Sequence, residues 1–236
     1  MAAFKETNDP YEPLNRGVFE FNLVLDKAIL KPAAFVYKEA VPDTIRNMIR
    51  NFLDNLRTPI ILANEVLQGE FERAGTTLIR FAMNSSFGIL GIADIAGDMG
   101  FQGHDEDFGQ TMAVWGVEDG PYLMLPIIGP SNPRDTIGFL VDFLFDPFTY
   151  YADTEYRIGR VAMRAVDTRA RRYDTINELE RTSLDFYAAV RSLHRQRRKD
   201  EITNGVTSAQ QPAPLMSFSP LNIGDHLAQP KLSMAD

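Results

Sequence analysis

Pro42–Leu56, PDTIRNMIRNFLDNL, is the stretch whose reading decides the fold. Ile45, Met48, Ile49, Phe52, Leu53 and Leu56 recur at the i, i+3, i+4, i+7, i+8, i+11 spacing of one helical face. Arg46, Asn47, Arg50, Asn51, Asp54 and Asn55 occupy the other side. The pattern predicts an amphipathic helix whose second flank is wholly polar, opened by Pro42-Asp43 and broken at Pro59.

Outward from this helix the same logic repeats. A second helix is expected up to Gln68, stopped by Gly69, and a third from Glu70 to Asn84-Ser85-Ser86. Towards the N-terminus, Asn15 is placed to cap a helix over Asn15–Leu30, NRGVFEFNLVLDKAIL. This helix is apolar on most faces and therefore buried or in contact with lipid. Pro32 is expected to end it and to start a short helix over Ala33–Ala40. Phe87–Gly100 carries glycines at 88, 91, 97 and 100 but no Gly-Lys-Ser/Thr, so it reads as a bend or a close helix approach rather than a phosphate loop. Arg134-Asp135 leads into a helix bearing Ile137, Phe139, Leu140, Phe143 and Leu144, closed by Asp146-Pro147 and followed by the aromatics Phe148, Tyr150 and Tyr151. Two helices are expected from Glu155, meeting near Tyr173 with Asp174 as the cap of the second. Period-2 alternation is absent, so the predicted class is all-α. Residues 1–13 read as an extended arm, 14–199 as the helical body and 200–236 as a disordered tail.

One segment does not fit ordinary helical patterning. Between His104 and Asp135 lies the apolar run Tyr122–Ile128, YLMLPII, fenced by Gly120-Pro121 and Gly129-Pro130. It is far short of the roughly 20 residues that a bilayer-spanning helix requires. An internal proline makes it a fixed loop or half-helix at a surface, a lipid surface included. His104-Asp105-Glu106-Asp107 just before it could suggest a metal site. Neighbours on a helix point in different directions, however, and the reading that prevails is capping of the following helix by Asp105 or Asp107.

Composition narrows the chemistry. The 236 residues contain no cysteine, which excludes disulfides, thiolate nucleophiles and zinc–thiolate sites. The three histidines have no partner at i+4, and Gly-x-Ser-x-Gly is absent, so neither zinc-protease nor common serine-hydrolase chemistry is indicated. No metal site and no catalytic residue is expected from these residues. A net charge of −8 argues against nucleic-acid binding. That charge is unevenly placed: Glu155–Lys199 holds twelve basic and six acidic residues, net +6, and the rest of the chain is net −14. Such asymmetry suggests a directional surface, and the basic run Arg191–Lys199 is either a solvated helix end or a contact for anionic head groups. MAAFKETNDPYEP lacks the apolar stretch of a signal peptide, which fits a cytoplasmic chain or an exported one whose signal has been removed.

Short motifs carry the reading further. Asn8-Asp9-Pro10, Leu14-Asn15-Arg16, Phe19-x-Phe21-Asn22, Val41-Pro42, Asn51-Phe52, Asn55-Leu56, Leu67-Gln68-Gly69, Arg80-Phe81 and Asn84-Ser85 occur in order. Asp107-Phe108-Gly109-Gln110-Thr111, Gly116-Val117, Gly120-Pro121-Tyr122, Leu125-Pro126, Gly129-Pro130 and Arg134-Asp135 continue the series. Over Asn8–Leu193 this set resembles the MlaA (VacJ) family of outer-membrane lipoproteins. The family's lipidated cysteine has no counterpart in this sequence. The resemblance implies a non-enzymatic ring of amphipathic helices with no cofactor, around a polar channel, lying in the periplasmic leaflet of a Gram-negative outer membrane beside a trimeric porin. It also implies retrograde removal of mislocalised phospholipid, handed to a soluble periplasmic carrier. Asn15, Arg16, Asn22, Asn84, Gln110, Thr111, Arg134 and Asp135 are then the head-group candidates. Phe19, Phe21, Tyr122, Leu123, Leu125, Pro126 and Ile128 are the membrane-facing or rim candidates. A non-catalytic scaffold that organises porins or other envelope partners is the competing expectation, and a lipid hydrolase is disfavoured for want of a nucleophile.

Overall fold

The computed structural model describes residues 8–205. The first helix, α1 (Glu12–Leu25), starts before Asn15 and takes Pro13 into its first turn, where a missing N–H costs nothing. The expected arm is therefore helical from Glu12, and Asn15 is not a cap. Pro32 does not end the helix either. Asp26–Leu30 forms a π-helical turn in which the Lys31 N–H bonds the Asp26 carbonyl, and α2 (Lys31–Ala40) follows without a break. The widened turn lets Pro32 occupy the first turn of α2, so no ordinary helical hydrogen bond has to be sacrificed to it.

The Pro42–Leu56 pattern becomes α3 (Asp43–Asn55), followed by α4 (Thr58–Gln68) up to Gly69 and α5 (Phe71–Ser86). In the glycine-bearing stretch after α5, Ile89, Leu90 and Gly91 all have positive φ, 53°, 58° and 89°. A Cβ on Gly91 would lie 2.3 Å from the Asn55 Cβ, so this glycine lets the loop lie directly on α3. Both the bend and the close approach expected there are present.

After a short turn, α6 (Ile95–Asp98), comes α7 (Phe108–Val114). Asp107 caps α7, its side chain accepting from the Gln110 N–H at 2.9 Å, as the capping reading expected. The apolar Tyr122–Ile128 run corrects the sequence reading: it is neither loop alone nor half-helix but an antiparallel hairpin. Strand β1 (Leu123–Leu125) pairs with β2 (Gly129–Ser131), Leu123 opposite Ser131 and Leu125 opposite Gly129. Three-residue strands are too short to show alternation, and this hairpin is the exception to an otherwise helical fold.

The chain continues as α8 (Pro133–Phe145), capped by Asn132 through the Asp135 N–H at 2.8 Å. A short turn follows, α9 (Phe148–Tyr151), and then α10 (Thr154–Arg171), α11 (Tyr173–Thr182) and α12 (Phe186–Ile202). Asp174 lies inside the first turn of α11 instead of capping it, because α11 follows α10 after a single residue and leaves no extended position for a cap. Residues 200–202 belong to α12, so the expected tail is shorter than proposed at its start, and 206–236 lie outside the described residues.

Packing in this fold is inverted. Among the described residues, sixteen polar or charged side chains are buried against twelve hydrophobic ones. Seven of those twelve form two small clusters, Phe19–Tyr122–Met124–Tyr187 and Ala34–Tyr37–Ala170, and Leu53, Ile60, Ile61, Ala74 and Ala96 lie outside them. Meanwhile Ile137, Phe139, Leu140, Phe143 and Leu144 on α8 are half or more exposed, and so are Ile89, Leu90 and Phe87 beyond α5. Asp142, among these apolar residues of α8, faces inward, accepting from Asn64 Nδ2 at 2.9 Å and from the Phe108 N–H. Helices α7 and α8 touch backbone to backbone: a Cβ on Gly138 would fall 2.3 Å from the Gly109 nitrogen. No described helix is long and apolar enough to cross a membrane.

Candidate functional site

The polar flank of α3 faces a cavity of about 570 Å3. Asn51, Asp54 and Asn55 form that wall; Thr58 and Ile61 of α4 and Thr77, Arg80 and Asn84 of α5 continue it. Asp94 and His104–Asp105 close one side, and α10 supplies Arg164, Thr168 and Arg171. Arg172, between α10 and α11, and Arg197 of α12 complete it. Helices from both halves of the chain therefore surround one hydrophilic hollow, with their greasy sides turned away from it.

Each polar wall is internally braced. Asp94 accepts from both Arg80 and Asn84, at 3.0 and 2.8 Å, while Asn84 in turn accepts from the Ala96 N–H at 3.0 Å. Burial raises the Asp94 pKa, but the hydrogen bonds from Asn84 and Arg80 outweigh it and hold the carboxyl below its ordinary value. Arg164 pairs with Asp54 at 3.0 Å, and Arg57 with Asp105. His104 is pushed below the usual imidazole range by burial and by Arg73 and Arg80, so it stands neutral at pH 7 although Glu65 lies 3.2 Å away.

Of the sequence-derived head-group candidates, Asn84 alone stands in this wall. Asn15 and Asn22, two turns apart on α1, instead clamp the hairpin. Asn15 donates to the Tyr122 carbonyl at 3.0 Å and accepts from the Met124 N–H at 2.9 Å. Asn22 donates to the Leu125 carbonyl at 2.9 Å and accepts from the Ile127 N–H at 2.7 Å. A two-stranded ribbon leaves backbone groups unpaired along its edges, and these two amides satisfy them. Arg16 joins Glu12 to Asp185 at the start of α12. Gln110 and Thr111 are buried, the former donating to the Asp105 carbonyl and the latter to Asn64 Oδ1 at 2.8 Å. Arg134 and Asp135 bond each other, and Arg134 borders a second cavity of about 650 Å3 between the hairpin and α12.

The rim candidates divide as well. Phe19 and Tyr122 are core residues, stacked edge-on against Tyr187, and so face neither membrane nor water. Leu123 and Leu125 are half-buried; Phe21, Pro126 and Ile128 are exposed, and Ile127 is the most exposed of the hairpin at 81%. Sequence reasoning missed Arg57, Arg80, Arg164, Arg171, Arg172 and Arg197 as site residues. The basic excess over Glu155–Lys199 was the available signal, because four of those six arginines come from it.

Comparison with known proteins bears on the same arrangement. Residues 7–201 match the MlaA lipoprotein family. The chain belongs to the MlaA lipoprotein family. It is 34% identical to the intermembrane phospholipid transport system lipoprotein MlaA of Escherichia coli K12, covering 84% of this chain and 79% of that one. The protein of the same description from Haemophilus influenzae is 31% identical, over 85% and 81%. An uncharacterised protein of Rickettsia felis is 38% identical, over 81% and 77%. A solved chain from work on the structural basis for maintenance of bacterial outer membrane lipid asymmetry superposes with a TM-score of 0.75 at 35% identity. The match covers 82% of this chain and 98% of that one. The helical ring expected from the MlaA resemblance is thus supported by sequence and by fold.

Proposed function

We propose that the cavity is a passage for phospholipid head groups, and that this MlaA-family chain removes misplaced phospholipid from the outer leaflet of a Gram-negative outer membrane. The observation that carries the reading is the inverted packing: exposed apolar side chains on α3, α5 and α8 surround an interior of arginines, aspartates and asparagines. Such a girdle suits a ring lying flat in one leaflet, its apolar flanks among acyl chains. The charged hollow gives a head group the hydrogen bonds that hydrocarbon cannot, each unsatisfied polar group there costing several kcal/mol. A mere scaffold has no use for a charged cavity of this size. A trimeric porin would hold the ring in place, and a soluble periplasmic carrier would take the lipid onward. A passage of this kind is not catalytic and supplies no energy, so the carrier sets the direction of net flow.

In this reading the hairpin tip, Pro126–Ile128, forms part of the membrane-facing rim. Ile128→Asp is expected to raise outer-leaflet phospholipid in cells about as far as deletion of the gene does, with an unchanged far-UV circular dichroism spectrum. Placing a charge at membrane depth costs on the order of 2.5–3.5 kcal/mol, enough to lift the tip out of register with the leaflet. Normal outer-leaflet lipid in the Ile128→Asp strain, with the protein present at wild-type amount, would contradict the rim assignment.

A further inference from the structure

Six arginines line the polar cavity, and five of them have a carboxylate of their own. Arg57 pairs with Asp105, Arg80 with Asp94, Arg164 with Asp54, Arg171 with Asp167 at 2.9 Å and Arg197 with Glu201 at 2.6 Å. The Arg172 guanidinium, among the described residues, has no hydrogen bond and no carboxylate within ion-pair distance; only its backbone is bonded, to Thr168 and Ile176. Glu201 acts on it only from beyond that distance and is already engaged by Arg197 and Arg198.

The surroundings make this cation unusual. Arg172 stands at the junction of α10 and α11, exposed to the cavity, with Arg171 on one side and Arg197 on the other. Burial lowers its pKa, and the nearby guanidiniums of Arg197 and Arg171 lower it further. Like charges are held together here at a cost, and an anion would relieve it. The planar guanidinium fork matches two phosphate oxygens at once. Six arginines against the five carboxylates that pair with them, Asp54, Asp94, Asp105, Asp167 and Glu201, leave the wall a net +1 with His104 neutral, and that charge is Arg172's.

We propose that Arg172 is the phosphate-binding residue of the cavity, and that with Arg171 and Arg197 beside it the passage favours phospholipids of net negative head-group charge. The assignment rests on the lipid-passage reading and adds to it a class of substrate. A phosphodiester meets Arg172 in any phospholipid, but a head-group ammonium beside it adds a second positive charge to the one guanidinium of the wall that no carboxylate neutralises, and is repelled. An anionic head group carries no such penalty.

The full chain in detergent, equilibrated with equimolar phosphatidylglycerol and phosphatidylethanolamine, provides the test when retained lipid is counted by mass spectrometry. Wild type is expected to retain phosphatidylglycerol about tenfold over phosphatidylethanolamine, the scale of one charge-assisted hydrogen bond. Arg172→Lys should keep most of that ratio, Arg172→Gln should bring it near parity and Arg172→Glu should invert it, with all four circular dichroism spectra alike. A ratio near one in wild type, or one that ignores the charge at position 172 while lipid is still retained, overturns the assignment and leaves the passage intact. Absence of retained lipid in wild type overturns the passage reading and the assignment together.

Discussion

Arg198→Ala is expected to lower the unfolding free energy by about 2–3 kcal/mol, more than an exposed ion pair and less than a fully buried one, because its network is partly buried. From α12 this guanidinium grips Asp107 with two hydrogen bonds of 2.7 Å and Asp135 with a third of 2.7 Å. Asp107 caps α7 and Asp135 sits in the first turn of α8, so one side chain ties the C-terminal helix to the pair that meets at Gly109 and Gly138. Burial raises both carboxyls, yet the hydrogen bonds from Arg198 hold each below the ordinary 3.8. Without Arg198 two half-buried carboxylates keep less than their full complement of partners. For a chain of this size the loss corresponds to a fall in Tm of about 4–12 °C. The pH dependence follows in sign. Folded values below the unfolded one mean that the stabilisation is present above about pH 4 and disappears as the pH falls through the lower folded values. Urea titrations of both proteins should show a wide gap at pH 7 that narrows below pH 4. A gap under about 1 kcal/mol at pH 7 would mean that the clasp is no stronger than a surface ion pair.

Thr168→Trp is the second large effect, this time on transport. Thr168 lies in the cavity wall one turn before Arg171 and Arg172, half-buried, on a helix whose neighbouring Asp167, Arg169 and Ala170 are already packed. An indole there extends into the hollow and fills space that a head group must cross, without touching the Arg198 clasp. Phospholipid removal from the outer leaflet should fall at least tenfold, about 1.4 kcal/mol or more on the barrier, with Tm within a few degrees of wild type. Unimpaired removal by a folded Thr168→Trp protein would place the route elsewhere.

Local signals in the sequence were dependable where physics is local. The 3.6-residue spacing of Ile45, Met48, Ile49, Phe52, Leu53 and Leu56 reappears as α3, and Gly69 stops α4, because periodicity and termination depend on a few adjacent residues. Asp107 capping α7 belongs to the same class. Some failures are local, since Asn15 and Asp174 both lie inside their helices instead of capping them, and the others are of longer range or unmarked by composition. Pro32 looked like a terminator because the π-helical turn that admits it carries no compositional mark. The hairpin depends on Asn15 and Asn22, about a hundred positions away, and neither amide advertises a strand partner. Phe19 and Tyr122 read as rim residues in the sequence because aromatic side chains look alike in a core and at an interface; Tyr187, far along the chain, decides the matter. The site itself was half legible. The basic excess over Glu155–Lys199 pointed to a directional surface, but that it turns inward depends on α10 and α12 closing round the polar side of α3. Likewise Arg191 and Arg198, in a run that reads as either a solvated helix end or a head-group contact, are ties to Asp9, Asp107 and Asp135, the first buried and the second half-buried.

The measurement that bears most directly on a polar interior and a greasy exterior is site-specific photo-crosslinking in membranes with phospholipid tagged separately in its head group and in its acyl chain. A photoreactive residue at Thr168 should capture the head-group-tagged lipid, and one at Phe139, on the exposed face of α8, the acyl-tagged lipid. Adducts from Phe139 without any head-group adduct from Thr168 would contradict the account, because lipid would then surround the ring without entering it.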